Sequence, residues 1–344
     1  MGLEDRGSST MKRFIIFIVI ITVAISAIAC RYDIDNYETT DPPTKESITE
    51  DEEGNTDTIM SIAANELGIT HENYPQIDGS TSTILINQAI NRAMYQNEDN
   101  TNFPREASKT VPSYRLLIDG EVDMIIVPYA SPDIMAEAKD KGVELEFYPI
   151  AAEALVFITP KENETTNITN EDIRRIYIDN GIKNWSELGG PDKKLVPISR
   201  NSDSGSQSQM DNLILKGEKT HPSINKNHVE LTMEGMLEQV AFYHGGGLDG
   251  KATNSYAIGY TLYTYLKGMG EITGIDEYLK LLAFEGVLPS EESIADGSYS
   301  LADAYYVVIR KDLPKEHSAR SIIKWLKGEE GREIIKKLRF IPKN

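Results

Sequence analysis

Two short stretches hold the residue types that bind an oxyanion. In the first, Asp78-Gly79-Ser80-Thr81-Ser82-Thr83 precedes Ile86, Ala89, Ile90, Ala93 and Met94 at spacings of three and four, so a hydroxyl-rich loop opens an amphipathic helix. In the second, Ser199-Arg200-Asn201-Ser202-Asp203-Ser204-Gly205-Ser206-Gln207 lies between the apolar Leu195-Val196-Pro197-Ile198 and Met210, Leu213 and Ile214. Ser204 and Gln207 have the spacing of a capping box. The first turn of a helix has four N–H groups without intrahelical partners and a partial positive charge, so it receives an anion without a dedicated cation. Glycine permits close backbone approach, and serine and threonine hydroxyls add neutral donors. Arg200 would supply one bidentate cation matched to a tetrahedral oxyanion. Taken singly, Ser80 and Ser204 read as caps of their own helices. Two such loops, one holding an arginine, read better as a site.

Other chemistries find little support. Five histidines (His71, His221, His228, His244, His317) and many serines occur, but there is no G-x-S-x-G elbow, H-E-x-x-H or Walker loop. The run Gly245-Gly246-Gly247 lacks the G-K-[ST] ending of a phosphate loop and reads as a flexible turn. The single cysteine, Cys30, excludes an intramolecular disulfide framework and a cysteine-based metal cluster. No catalytic residue, cofactor or metal is expected.

The elements that must position the two loops are also visible. Met124-Ile125-Ile126-Val127, Leu155-Val156-Phe157-Ile158 and Tyr306-Val307-Val308-Ile309 are continuous β-rich runs of the kind buried on both sheet faces. Between them lie helical segments with signals at their ends. Ser131-Pro132 predicts a start and Gly142 a stop, and Thr169 with Asp172 has capping-box spacing ahead of Ile173, Ile176 and Tyr177. This alternation predicts an α/β architecture with mostly parallel sheets, and the 344 residues suggest about two domains. No fixed-period repeat suggests a solenoid. The net charge of −19, with no dense Lys/Arg run, argues against a nucleic-acid partner.

The front of the chain reads as an address. Lys12 and Arg13 precede sixteen almost wholly apolar residues, Phe14 to Ala29, and then Cys30. Sixteen is short of the roughly 20 needed to span a bilayer, so a secretory signal is favoured over a transmembrane anchor. Ala27-Ile28-Ala29-Cys30 resembles a bacterial lipobox, with Ala27 where leucine is usual, which implies that Cys30 is lipid-modified. Met11 begins a more ordinary signal than Met1. Residues 31 to 57 hold ten acids against Arg31 and Lys45 and few large aliphatics, the composition of a solvated tether.

The runs Ile77-Asp78-Gly79-Ser80-Thr81-Ser82-Thr83, Asn184-Trp185-Ser186-Glu187-Leu188-Gly189-Gly190, Ser199-Arg200 through Ser204-Gly205-Ser206-Gln207, and Tyr256-Ala257-Ile258-Gly259-Tyr260 are similar, in that order, to phosphate-binding proteins of bacterial phosphate ABC importers. The resemblance covers about Thr58 to the C-terminus. It implies a two-lobed type 2 periplasmic-binding-protein fold, α/β with mixed sheets, helices on both faces and a hinge between the lobes. With residues 1–29 read above as signal peptide and 30–57 as lipid-anchored tether, the resemblance implies 58–156 with 303–344 as lobe one and 157–302 as lobe two. Leu155 to Ile158 would carry the chain between lobes and Tyr305 to Ile309 would return it. The resemblance assigns the ligand to Ser80, Thr81, Ser82, Arg200, Ser204, Gly205, Ser206 and Gln207, and the partner to an ABC importer permease at the outer face of the cytoplasmic membrane. Two departures bear on selectivity. Ser202 stands where the family's best-known members place an aspartate, and Val127-Pro128-Tyr129 lacks the carboxylate they carry after the matching strand. A surface sensor or adhesin with the same fold is the alternative, and a serine-dependent hydrolase a weaker one.

Overall fold

The computed structural model describes residues 60–96, 100–243 and 254–343. The leader, Cys30, the acidic stretch, His244 and the Gly245–Gly247 run lie outside them.

The strands are β1 (Ile77–Gly79), β2 (Met124–Pro128), β3 (Leu145–Pro160), β4 (Asn167–Ile168), β5 (Lys194–Pro197), β6 (Ser199–Arg200), β7 (Val229–Glu230), β8 (Ser255–Leu262), β9 (Leu279–Leu281), β10 (Ala283–Phe284), β11 (Ala302–Arg310) and β12 (Ile341–Pro342). The 16-residue β3 organises the molecule. Its first part pairs antiparallel with β11, from Leu145 opposite Arg310 to Ala154 opposite Ala302. From the next residue it pairs antiparallel with β8, Leu155 opposite Leu262, and then with β9. β11 continues the first group to β2 and β1, and β8 continues the second to β5, so the order is β1-β2-β11-β3-β8-β5. One strand therefore serves both groups, and Leu155 to Ile158 lie just beyond the change of partner.

The sheets are mixed. In the main sheet β1 with β2 and β5 with β8 are parallel, whereas β11 is antiparallel to both of its neighbours, β2 and β3. The mostly parallel expectation is corrected here. Unbroken apolar runs report burial on both faces, which depends on the covering layers and not on strand direction. In β2, Met124 and Ile126 enter one core and Ile125 and Val127 another. In β11, Val307 and Ile309 join the first and Val308 the second. The β3 residues Leu155 to Ile158 belong to a third core with Trp185, Tyr177 and Tyr260.

The helix signals work as expected. The helix Pro132–Asp140 follows Ser131, and Gly142, at φ 68°, ends it with Val143 N–H donating to Ala138 at 2.8 Å. Asp172 N–H donates to Thr169 Oγ1 at 3.1 Å and Thr169 N–H to Asp172 Oδ2 at 3.1 Å, a complete capping box on the helix Asn170–Tyr177. Among the described residues no helix is long and apolar enough to cross a membrane, and no cluster of His, Cys, Asp and Glu could hold a metal ion.

Candidate functional site

The first loop leaves β1 at Gly79. A Cβ there would lie 2.5 Å from the Ile126 carbonyl oxygen, so only glycine lets β1 turn this close against β2. Ser80 N–H donates to that same carbonyl at 3.1 Å. A 3-10 turn, Thr81–Thr83, then leads into the helix Ile84–Met94, which buries Ile86, Ile90 and Met94. The Ser80 hydroxyl lies 2.9 Å from that of Ser82 and 3.0 Å from that of Thr83, and Thr83 Oγ1 donates to the Ile126 carbonyl at 2.5 Å. Ser80 is buried, Ser82 half-buried and Thr81 exposed.

The second loop leaves β5 through β6, which pairs with β7 so that Arg200 stands opposite Glu230. Arg200 Nε donates to the Glu230 carbonyl at 3.2 Å, and Arg200 N–H donates to the Tyr260 hydroxyl at 2.9 Å. The side chain is buried, with 5% of the residue exposed, and its Nη1 has no hydrogen-bond partner. Among the described residues no carboxylate forms an ion pair with it. Burial holds the Arg200 pKa below its ordinary value, opposed by the neighbouring Tyr260, Glu230 and Tyr265. Ser204 caps the helix Gly205–Met210 by accepting from Gln207 N–H at 3.3 Å.

Both loops reach one cavity of about 230 Å³. Ser80, Thr81, Ser82, Arg200, Ser204 and Gly205 line it. Ser206 and Gln207 do not border the cavity. The Ser206 hydroxyl lies 2.9 Å from that of Ser204, while Gln207 accepts from the Tyr260 hydroxyl and donates to Asp211 at 2.9 Å. Gln207 therefore completes only half of the capping box its spacing suggested, because its side chain is committed to Tyr260 and Asp211.

The structure adds lining residues that sequence reasoning missed. Lys109, at φ 77°, and Thr110 stand at the start of the helix Thr110–Asp119. Thr110 Oγ1 is buried without a partner. A non-glycine residue at such a φ is strained, a condition common at binding sites. Pro112 in the first turn was the available signal for this helix start, but no apolar strand precedes it to draw attention. Thr232, Glu234 and Tyr265 also line the cavity, as do Leu231 and Met233.

The departures read from the sequence have structural counterparts. Ser202 is exposed, and Tyr129 packs against Phe147 with ring centroids 4.6 Å apart and does not border the cavity. Asp203 and Glu234 are the carboxylates lining the cavity among the described residues, the first half-buried and the second exposed. The arrangement is a concave set of hydroxyls, a helix start, a lysine and one buried arginine whose free Nη1 requires an acceptor.

Comparisons with known proteins agree with this architecture. The phosphate-binding protein PstS of Borreliella burgdorferi is 26% identical over 216 residues, covering 62% of this chain and 71% of that protein. PstS of Staphylococcus aureus is 22% identical over 266 residues, 74% of each. An ABC-type phosphate transport receptor from Vibrio cholerae aligns with a TM-score of 0.55 at 22% identity, over 77% of this chain and 98% of that one. A substrate-binding protein of Clostridium perfringens, solved with bound phosphate, aligns at 0.56 and 24% identity over 78% and 98%. These structural likenesses establish the fold. The description "PBP superfamily domain" matches residues 69–330, and the chain belongs to that superfamily.

Proposed function

We propose that this protein captures phosphate, or a similar tetrahedral oxyanion, between its two lobes and delivers it to an ABC importer. The observation that carries this reading is Arg200, a buried cation without an ion-pair partner among the described residues, whose free Nη1 belongs to a side chain lining the same cavity as Ser80, Ser82 and Ser204. An unpaired buried charge is costly, and an anion in the cavity removes that cost. The relatives named as phosphate-binding proteins support the choice of ligand.

In this reading Ser80, Thr81, Ser82, Arg200, Ser204 and Gly205 hold the ligand, while Ser206 and Gln207 support the loop from behind. Residues 58–156 and 303–344 form one lobe and 157–302 the other. Residues 1–29 are a signal peptide, and Cys30 is lipidated, so that residues 30–57 tether the body to the outer face of the cytoplasmic membrane. The protein is a carrier and not an enzyme.

Calorimetric titration with phosphate, sulfate, arsenate and molybdate tests the ligand class. Phosphate is expected to bind, with weaker exclusion of sulfate than in proteins that keep both family carboxylates, because a serine hydroxyl accepts a hydrogen bond from a P–OH group without repelling a fully ionised anion. Failure of all four to bind overturns the oxyanion reading.

A further inference from the structure

The cavity has an apolar side that a bare oxyanion leaves unused. Leu231 is 63% exposed, Met233 and Tyr265 are half-buried, and all three line the cavity with the hydroxyl loops. Leu231 is not on a slack loop. Glu230 Oε1 accepts from Leu231 N–H at 2.8 Å and from Thr232 N–H at 3.1 Å, and Glu230 Oε2 accepts from Gln239 at 2.5 Å. Thr232 then caps the helix Met233–Ala241 by accepting from Gly235 N–H at 2.9 Å. The backbone carbonyl of the same Glu230 accepts from Arg200 Nε, so the buried cation and the exposed leucine are fixed to one turn.

Size and proton count point the same way. The cavity of about 230 Å³ corresponds to nearly eight water volumes at roughly 30 Å³ each, whereas a tetrahedral oxyanion has five heavy atoms. Monohydrogen phosphate carries a P–OH proton that needs an acceptor. A phosphate monoester, with a second ionisation near about 6, presents three proton-free oxygens at neutral pH. The lining is rich in donors, and its carboxylates are the half-buried Asp203 and the exposed Glu234.

We propose that the cleft takes a singly substituted tetrahedral oxyanion, an alkylphosphonate or a phosphate monoester, with three terminal oxygens on the Ser80–Ser82 loop, Arg200 and Ser204, and a short organic substituent against Leu231, Met233 and Tyr265. This inference rests on the oxyanion reading above and narrows its substrate class. Each methylene that leaves water for the apolar wall strengthens binding by about 0.8 kcal/mol, or about fourfold.

The test is titration of the full chain with inorganic phosphate and with methyl-, ethyl- and propylphosphonate, at a pH above the second ionisation of the probes, and with propyl phosphate as the ester. The alkyl compounds are expected to bind at least as tightly as phosphate, with affinity rising about fourfold per methylene along the phosphonate series. Leu231→Ser is expected to remove that rise, so that the three phosphonates bind with nearly equal affinity. Phosphate bound while every substituted anion is excluded overturns this inference and leaves the oxyanion reading standing, as does affinity that falls with chain length. No binding by any probe overturns both.

Discussion

At Arg200 the cost of burying a charge and the gain from binding an anion meet in one side chain. Arg200→Ala is expected to weaken phosphate binding by about 2–5 kcal/mol, because it removes a buried charge-assisted contact. Thermal stability without ligand is expected to hold or rise, since the unpaired buried cation goes with it. An unchanged dissociation constant by calorimetry would remove Arg200 from the site. Glu153 poses a different residue-scale problem. Its residue is 2% exposed, and Oε1 accepts N–H groups of Ala154 at 2.8 Å and Thr264 at 3.0 Å. Oε2, the Thr264 hydroxyl and the Tyr305 hydroxyl lack hydrogen-bond partners. Burial raises the Glu153 pKa above its ordinary 4.5, with the Ala154 and Thr264 N–H groups opposing. A raised carboxyl pKa means the folded state holds the proton more tightly. Its stabilising contribution is present below about 4.5 and is lost as pH rises through the folded value. Glu153→Gln should therefore gain stability relative to the parent as pH rises from acid to neutral. Parallel melting-temperature curves for the two proteins would refute this.

Three elements of the site meet at Gly205. A Cβ there would lie 2.8 Å from Pro128 Cγ and 2.9 Å from Thr110 Oγ1, so the start of the helix Gly205–Met210 touches the end of β2 and the start of the helix Thr110–Asp119. Val111 N–H also donates to the Asp203 carbonyl at 3.5 Å. Gly205→Ala should cost about 1–3 kcal/mol of overpacking, relieved by moving these helix starts apart. Since both border the cavity, ligand affinity should fall along with denaturant stability, and unchanged affinity would show that the contact does not shape the site. A control lies away from the cavity. Thr169→Ala removes one half of the Thr169–Asp172 box and should lower stability by about 1 kcal/mol, with ligand affinity untouched.

For the molecule as a whole, β3 is the strand along which the two sheet groups join, and the register shift between Tyr305 and Tyr306 falls on its pairing with β11. Such a bulge locally disrupts the ladder and bends the strand. Binding residues drawn from both sides of β3 lead to an expected closure on ligand, seen as a smaller radius of gyration by solution scattering. Identical scattering with and without saturating phosphate would contradict it. The anchor is tested independently by metabolic labelling with a fatty acid. Label on the parent and none on Cys30→Ser is the expected result, and label persisting on the variant would sink it.

Hydroxyl enrichment, capping spacing and burial periodicity are local properties, and so the amino-acid order determines them directly. The Ser80–Ser82 and Arg200–Ser204 loops, the helix starts at Pro132 and Asn170, and the apolar runs of β2, β3 and β11 are all legible there. Strand direction is not, because a run buried on both faces looks the same whichever way its neighbours travel. Only the tertiary structure decides that β2, β11 and β3 alternate in sense, that Gln207 turns to Tyr260 instead of the cavity, and that Lys109 and Thr110 join the two loops. The same holds for Leu231. Its residue type gives no reason for an exposed leucine beside a buried arginine, and that pairing arises only because β6 and β7 hydrogen-bond across 30 residues of chain. Contacts at such separation depend on which pairing buries the most apolar surface with its backbone groups satisfied, a property of the whole chain and not of any segment.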